Sequence, residues 1–265
     1  MRPVPVVQVT WLGHSSVVLD IDGLRLVADP LLRSHNGPLR RRGPRPAPAT
    51  WAGADAILLS HLHHDHAELR SLWMLADAPV LTSLTNASWL CSRGLTGVGL
   101  GEEWHGLGSG VFARLVKAVH HSRPMPHRPN GAHGHLVRGP DALVWFAGDT
   151  SLYDEMTEIP GLAGDDGIDL AIVPIGGWGP RLSAGHMGPV EAATACAMTR
   201  ARSALPVHWG TLHPPGMHLF GDWMDRPLPE FRSALAKTAP HCRLVPAPMG
   251  VPVSVPTGRG ARPGP

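Results

Sequence analysis

The sequence predicts a layered domain of the α/β or α+β class. Strand-like and helix-like runs mix throughout the chain, and the first half is especially rich in strands. Four strand-like runs also end directly in a histidine or an aspartate, at His61, His120, Asp149 and His208. Functional groups gather at such ends because rigid elements position them and the following loops leave them accessible. With 265 residues, 43% of them hydrophobic, and no break in composition, one domain over 1–255 is expected.

The elements follow in order. Val7 to Leu12 reads as a strand. Ser16 to Ile21 and Leu24 to Ala28 flank Asp22-Gly23, a pair suited to a type I′ hairpin turn. Asp29-Pro30 closes the second arm. Arg33 to Thr50 reads as a long loop carrying Arg40, Arg41, Arg42 and Arg45 among prolines. Such a run is ordinarily a solvated connector; the sharper reading is a flap that attracts an anionic substrate. Ala56 to Leu59 is a short buried strand running into SHLHHDH. A helix is expected over Glu68 to Ala76, a strand over Val80 to Leu84 and a helix near Asn86 to Arg93. Strands follow at Gly110 to Val119, Ala142 to Ala147 and Asp169 to Ile175. Pro189 suits the first position of a helix over Val190 to Ala201. Leu205 to Val207 is a strand, Pro229 to Lys237 a helix and Arg243 to Val245 a last short strand. Pro256 to Pro265 (PTGRGARPGP) is expected to be a disordered tail.

Composition narrows the function. The net charge is only +2 with neutral histidines, which gives little global pull toward nucleic acid. Cys91, Cys196 and Cys242 are far apart and form no CxxC pair, so neither a disulfide framework nor a cysteine-based zinc site is indicated. The N-terminal segment lacks a signal-peptide pattern. No apolar run reaches the roughly 18 residues a membrane span needs. A cytoplasmic protein is the expectation. The chain has 17 histidines and one tyrosine, Tyr153. Histidine is the commonest metal ligand.

The chemistry concentrates in Ser60-His61-Leu62-His63-His64-Asp65-His66. Residues two apart in extended chain point the same way, so His61 and His63 can grip one metal. A turn into a helix then swings Asp65 and His66 toward a second. The alternative, a histidine-rich surface loop, fits poorly with an apolar strand leading into the motif and with the candidate ligands downstream.

These residues resemble the metallo-β-lactamase superfamily. The HxHxDH motif is His61, His63, Asp65 and His66, followed in the family's order by His120, Asp149 in FAGDT and His208 in PVHWGT. The resemblance runs from Trp11 to Thr211. It implies a four-layer αββα sandwich with two divalent metals at one edge of the sheets, zinc foremost, with manganese or iron as alternatives. Carried over by position, His61, His63 and His120 hold the first metal, Asp65, His66 and His208 the second, and Asp149 bridges them. His121 competes with His120; the likeness of AVHHSRP to the family's segment favours His120. WLGHSS, ADPLL, Glu68, GHMGPVEA and HWGT resemble the branch that includes L-ascorbate-6-phosphate lactonase and N-acyl phosphatidylethanolamine phospholipase D. Ala67-Glu68 stands where class B β-lactamases and glyoxalase II-like enzymes carry glycine, which argues against both activities.

The function expected is hydrolysis of an ester-type bond, a phosphodiester or a lactone, by hydroxide held on the metals. Asp65 orients the nucleophile, and His14 or His186 meets the substrate or its leaving group. The substrate is expected to be a small molecule, anionic if the arginine loop acts on it. No stable nucleic-acid partner and no transmembrane segment are expected, and the oligomeric state is open. Trp178 reads equally as a pocket wall or as core. The alternatives are a nuclease of the same fold and a metal-retaining binding protein without turnover.

Overall fold

The computed structural model describes residues 6–120, 128–129 and 131–258. The chain opens with strands β1 (Val6–Gly13), β2 (Ser16–Ile21), β3 (Leu24–Ala28), β4 (His35–Asn36), β5 (Leu39–Arg41) and β6 (Ala56–Leu58). Helix α1 (Leu69–Trp73), β7 (Val80–Ser83), α2 (Leu84–Cys91), β8 (Gly97–Leu100), β9 (His105–Gly108) and β10 (Val111–Lys117) follow. The second half holds β11 (His133–Arg138), β12 (Leu143–Phe146), β13 (Leu170–Pro174), α3 (Pro189–Met198), β14 (Ser203–Val207) and β15 (Leu212–His213). It ends with α4 (Pro227–Thr238), β16 (Arg243–Leu244) and β17 (Pro252–Pro256).

Two seven-stranded mixed sheets form, in the orders β17-β1-β2-β3-β6-β7-β8 and β16-β14-β13-β12-β11-β10-β9. Alternation along single strands explains how they stack, since successive side chains face opposite sides. In β12, Val144 and Phe146 enter the core between the sheets, where Val9, Val17 and Leu19 of the first sheet meet them. Leu143 and Trp145 point the other way, toward Ala192, Ala195 and Phe231 of α3 and α4. On the far side, Val18 and Ile57 pack with Leu72 and Leu90 of α1 and α2. The result is the expected four-layer αββα sandwich. At the β2–β3 turn, Asp22 and Gly23 take φ of 47° and 82°, as a type I′ turn requires.

Several expectations change. The segment 33–50 is not all loop, because β4 and β5 pair with β15 as a small third sheet. Arg41 is buried there. Its guanidinium donates to Leu12 O (2.7 Å), to Arg33 O (3.1 Å) and to Leu31 O. Gly13, at φ 97°, leaves the room: a Cβ there would sit 2.5 Å from Arg41 Nη1. Arg42 pairs with Asp225 at 2.7 Å. Of the four arginines, Arg41 therefore holds the fold and is not a free anion attractor. His133 and His135 lie in β11, a strand that the sequence did not announce. Strands β8, β9 and β17 were not anticipated. Pro256, expected to begin the tail, closes β17 against Val6, and Thr257 is buried; 259–265 lie outside the described residues. No helix among the described residues is long and apolar enough to cross a membrane.

Candidate metal centre

The site is assembled from strand ends. Parallel strands β6, β12 and β14 run out into His61, Asp149 and His208, and β10 runs toward His120. The β1–β2 turn adds His14. Both His14 and His208 take left-handed backbone, at φ 52° and 62°. Their backbones are tied together, with the His208 N–H donating to His14 O at 2.9 Å. The turn after β6 returns at once, since the amides of His66 and Ala67 both donate to His63 O (3.1 and 2.8 Å). That return brings Asp65 and His66 to the same side as His61.

All the expected ligands meet. His61, His63, His120 and Asp149 form one group whose ligand atoms lie within 4.8 Å of one another. His14, Asp65, His66 and His208 form a second, and Asp149, His186 and His208 a third that joins them. His120 belongs to the first group, while His121 and His127 lie outside the described residues. His64 is exposed and outside these groups. His213 is buried and packs on His218, with ring centroids 4.2 Å apart.

Hydrogen bonds on the far side of each ring fix which nitrogen faces the centre. His120 Nδ1 donates to Gly185 O at 2.8 Å, and His208 Nδ1 to Gly176 O at 2.8 Å. His66 Nδ1 donates to Asp29 Oδ2 at 2.7 Å. Ser60 Oγ donates to Asp29 Oδ2 at 2.7 Å, so at its 2.9 Å contact with His61 Nδ1 it accepts. These partners assign the proton to Nδ1 of all four rings. When the rings are neutral, each Nε2 turns a lone pair inward. His63 Nδ1 stands 2.6 Å from His61 Nε2 and 2.9 Å from His120 Nε2. Its proton can satisfy only one of those contacts.

The carboxylates face the same difficulty. Asp149 is 2% exposed, and neither of its oxygens has a hydrogen-bond partner, nor has His66 Nε2 or His208 Nε2. Asp149 Oδ2 nevertheless lies 3.1 Å from His66 Nε2, 3.3 Å from His208 Nε2 and 3.1 Å from His186 Nε2. Buried polar atoms without partners are costly, and cations at these points would satisfy them. The donor set, rich in imidazole with two carboxylates, fits divalent transition metals.

Electrostatics agree for the first group. Burial pushes His61 well below its usual range and His63 down to about 4. Burial also lowers His120, so all three of its group favour the neutral form that ligates. Burial opposes ionisation of Asp65, but the hydrogen bond from His14 and the closeness of His208 and His66 outweigh it and hold the carboxyl well below its ordinary value. For Asp149 burial is likewise outweighed, first by His208 and His66. His66 is raised well above its usual value because Asp149 and Asp29 overcome its burial.

His14 does not face the open cleft as the sequence suggested. Its side chain is wholly buried, its Nε2 donates to Asp65 Oδ2 at 2.9 Å, and burial lowers its pKa to about 4. His186 is on the accessible side, its side chain 11% exposed. Two participants escaped the sequence reading of the site. Asp29 anchors both Ser60 and His66, and its signal was an Asp-Pro directly after a strand. Arg128 donates to Leu62 O (2.9 Å) and Ala67 O (3.3 Å), across the two ends of the metal-binding turn; nothing in the sequence pointed to it.

Comparisons with known proteins agree with this layout. A family model described as a beta-lactamase superfamily domain matches residues 25–209. A UPF0173 metal-dependent hydrolase of Nitratidesulfovibrio vulgaris is 31% identical over 258 residues, covering 89% of this chain and 90% of that protein. The N-acyl-phosphatidylethanolamine-hydrolyzing phospholipase D 1 of Caenorhabditis elegans is 29% identical over 236 residues, covering 76% of this chain and 63% of its own. Among solved structures, the metallo hydrolase Igni18 of Ignicoccus hospitalis superposes with a TM-score of 0.70 at 19% identity, covering 94% of this chain and 98% of that one. This last likeness concerns the fold.

Proposed function

The chain belongs to the metallo-β-lactamase superfamily, as a metal-dependent hydrolase, and we propose that it carries two zinc ions and cleaves an ester-type bond, a phosphodiester or a lactone. The observation that carries this reading is the convergence of inward-facing imidazole nitrogens on a buried carboxylate, Asp149, whose oxygens have no hydrogen-bond partner. His61, His63 and His120 would hold one cation and Asp65, His66 and His208 the other, with Asp149 between them.

Bound there, two divalent cations supply a water that ionises near neutral pH and stabilise negative charge developing on the scissile group. The protein's own groups do the rest. Asp65 stays ionised and orients the attacking water. His14 acts through Asp65, fixing its carboxylate from the buried side. His186, on the open side, hydrogen-bonds the leaving-group oxygen. A phosphodiester is favoured by the worm relative, whose name is that of a phospholipase D. The same likeness supports the branch read from WLGHSS and HWGT.

The test combines metal content with turnover. Protein purified without chelator is expected to hold close to two metal ions per chain, and to hydrolyse bis(p-nitrophenyl) phosphate or an uncharged lactone. Exhaustive chelation should abolish that activity, and zinc should restore it better than manganese or iron. Full activity without metal would refute the proposal. Cleavage of structured RNA alone would establish the nuclease instead, and ligand binding without any turnover a binding protein.

A further inference from the structure

The segment between β13 and α3 is fastened to the metal centre three times. Gly176 O accepts from His208 Nδ1 at 2.8 Å, Gly185 O accepts from His120 Nδ1 at 2.8 Å, and His186 Nε2 lies 3.1 Å from Asp149. The loop thus spans the candidate ligands of both cations. Between those fastenings it stands out into solvent, with residues 180–184 all exposed.

What it exposes is mostly apolar. Trp178 is 46% and Leu182 41% exposed, and Val190, on the first turn of α3, is 64% exposed. Arg181 is the sole charged residue from 176 to 188. The exposure of Trp178 excludes the core role that the sequence left open for it. Leu182 folds back over the stems of its own loop. A Cβ placed on Gly177 would lie 3.8 Å from Leu182 Cδ1, and one placed on Gly188 3.6 Å from Cδ2. Both glycines are within two residues of a fastening point. Exposed apolar groups gathered at one place commonly mark a binding surface. A tryptophan on a loop held at both ends, with Pro180 between, also has little freedom left to lose on binding.

We propose that Trp178 and Leu182 form an apolar platform at the mouth of the cleft and select substrates that carry an alkyl or acyl chain beside the scissile group. Arg181 meets negative charge near the head of that chain. This rests on the hydrolase reading, since it assigns the platform to that site's substrate.

The experiment uses metal-loaded protein and the non-hydrolysable series methyl-, butyl- and octylphosphonate, with binding read by calorimetry. For the wild type, Kd is expected to fall at least tenfold from methyl to octyl, as burial of added methylenes requires. In the Trp178→Ala/Leu182→Ala variant that gain should shrink to less than about threefold. Its methylphosphonate Kd and metal content should stay unchanged, and Trp178→Phe should retain most of the gain. An equal gain in wild type and double variant overturns the proposal. So does a flat wild-type series combined with a drop in sedimentation mass in the double variant, which would make the loop a contact between copies of the chain. Methylphosphonate that binds without any chain-length gain overturns the platform alone. Failure of every phosphonate to bind, together with no turnover, overturns the hydrolase reading with it.

Discussion

Asp29 Oδ2 accepts the Nδ1–H of His66 at 2.7 Å, and this contact decides which nitrogen of His66 faces the metal centre. Asp29 itself takes a strained φ of 40°. Three donors converge on its carboxylate, because Ser60 N and Ser60 Oγ reach it at 2.8 and 2.7 Å. Asparagine would replace one acceptor oxygen with a donor facing donors. Asp29→Asn is therefore expected to weaken binding of the second cation by about 10- to 100-fold. Chelator competition measures this, and an unchanged affinity would mean that packing alone orients His66.

Asp149 offers its oxygens to both groups of histidines. Asp149→Ala should lower occupancy of both sites together, from close to two metals per chain to below about one, as elemental analysis would read. Loss confined to one site would remove the bridging role.

Legibility in the sequence followed the physics of each signal. The hairpin at Asp22-Gly23 and the strand running into His61 were readable because turn chemistry and apolar runs are local. The candidate cluster was readable because HxHxDH compresses four metal-ligating residue types into six residues. Strand β11 was missed because GAHGHLVRG opens with glycines and histidines, which resemble a loop until a partner strand pairs with them. Its His135 is 1% exposed and donates from Nε2 to Leu81 O, 54 residues away. Arg41 looked like part of a solvated charge run, since nothing local reveals that three carbonyls wait for its guanidinium. Arg128 was invisible for the same reason. Its role depends on two carbonyls more than sixty residues earlier in the chain.

Gly185 tests the fastening of the loop. It sits at φ 84°, and a Cβ there would stand 2.9 Å from His120 Nδ1. Gly185→Ala should displace His120 and weaken the first cation more than the second. Chelator competition resolved by site, with thermal stability as the control, distinguishes this from general destabilisation. Equal loss at both sites would argue against a specific tie to His120.

His135 gives a pH dependence outside the metal centre. Burial lowers its pKa from 6.5 to about 4. Below about pH 6.5 the unfolded chain takes up a proton that the folded protein refuses until about pH 4. The unfolded state binds more protons in that window, so stability falls as the pH drops through it. The full effect is about 3 kcal/mol. His135→Gln should flatten the fall, with urea unfolding at neutral and acidic pH as the measurement. The metal-binding histidines contribute equally to both proteins and cancel in the difference. Parallel pH profiles would show that His135 is hydrated in the folded state.

The arginines of segment 33–50 should divide by burial. Arg41 is 7% exposed and serves the carbonyls of Leu12, two residues before His14, and of Leu31 and Arg33, two and four residues after Asp29. Arg41→Met leaves those acceptors without donors and is expected to cost about 3 kcal/mol or more. It should also weaken the second cation, because Gly13 packs directly on the guanidinium and precedes His14, the partner of Asp65. Arg40 and Arg45 are exposed, and Arg42 is engaged with Asp225 in an exposed pair. Replacing these three with glutamine should change stability by no more than about 0.5 kcal/mol each. If they steer an anionic substrate, the triple variant will raise KM for a phosphodiester at low salt and leave kcat unchanged. That difference should vanish at higher salt, where charges are screened over roughly 8 Å. A lactone without charge should be indifferent throughout. Equal KM values at low salt would reduce these arginines to solvation and leave Arg41 as the residue of the run that the site depends on.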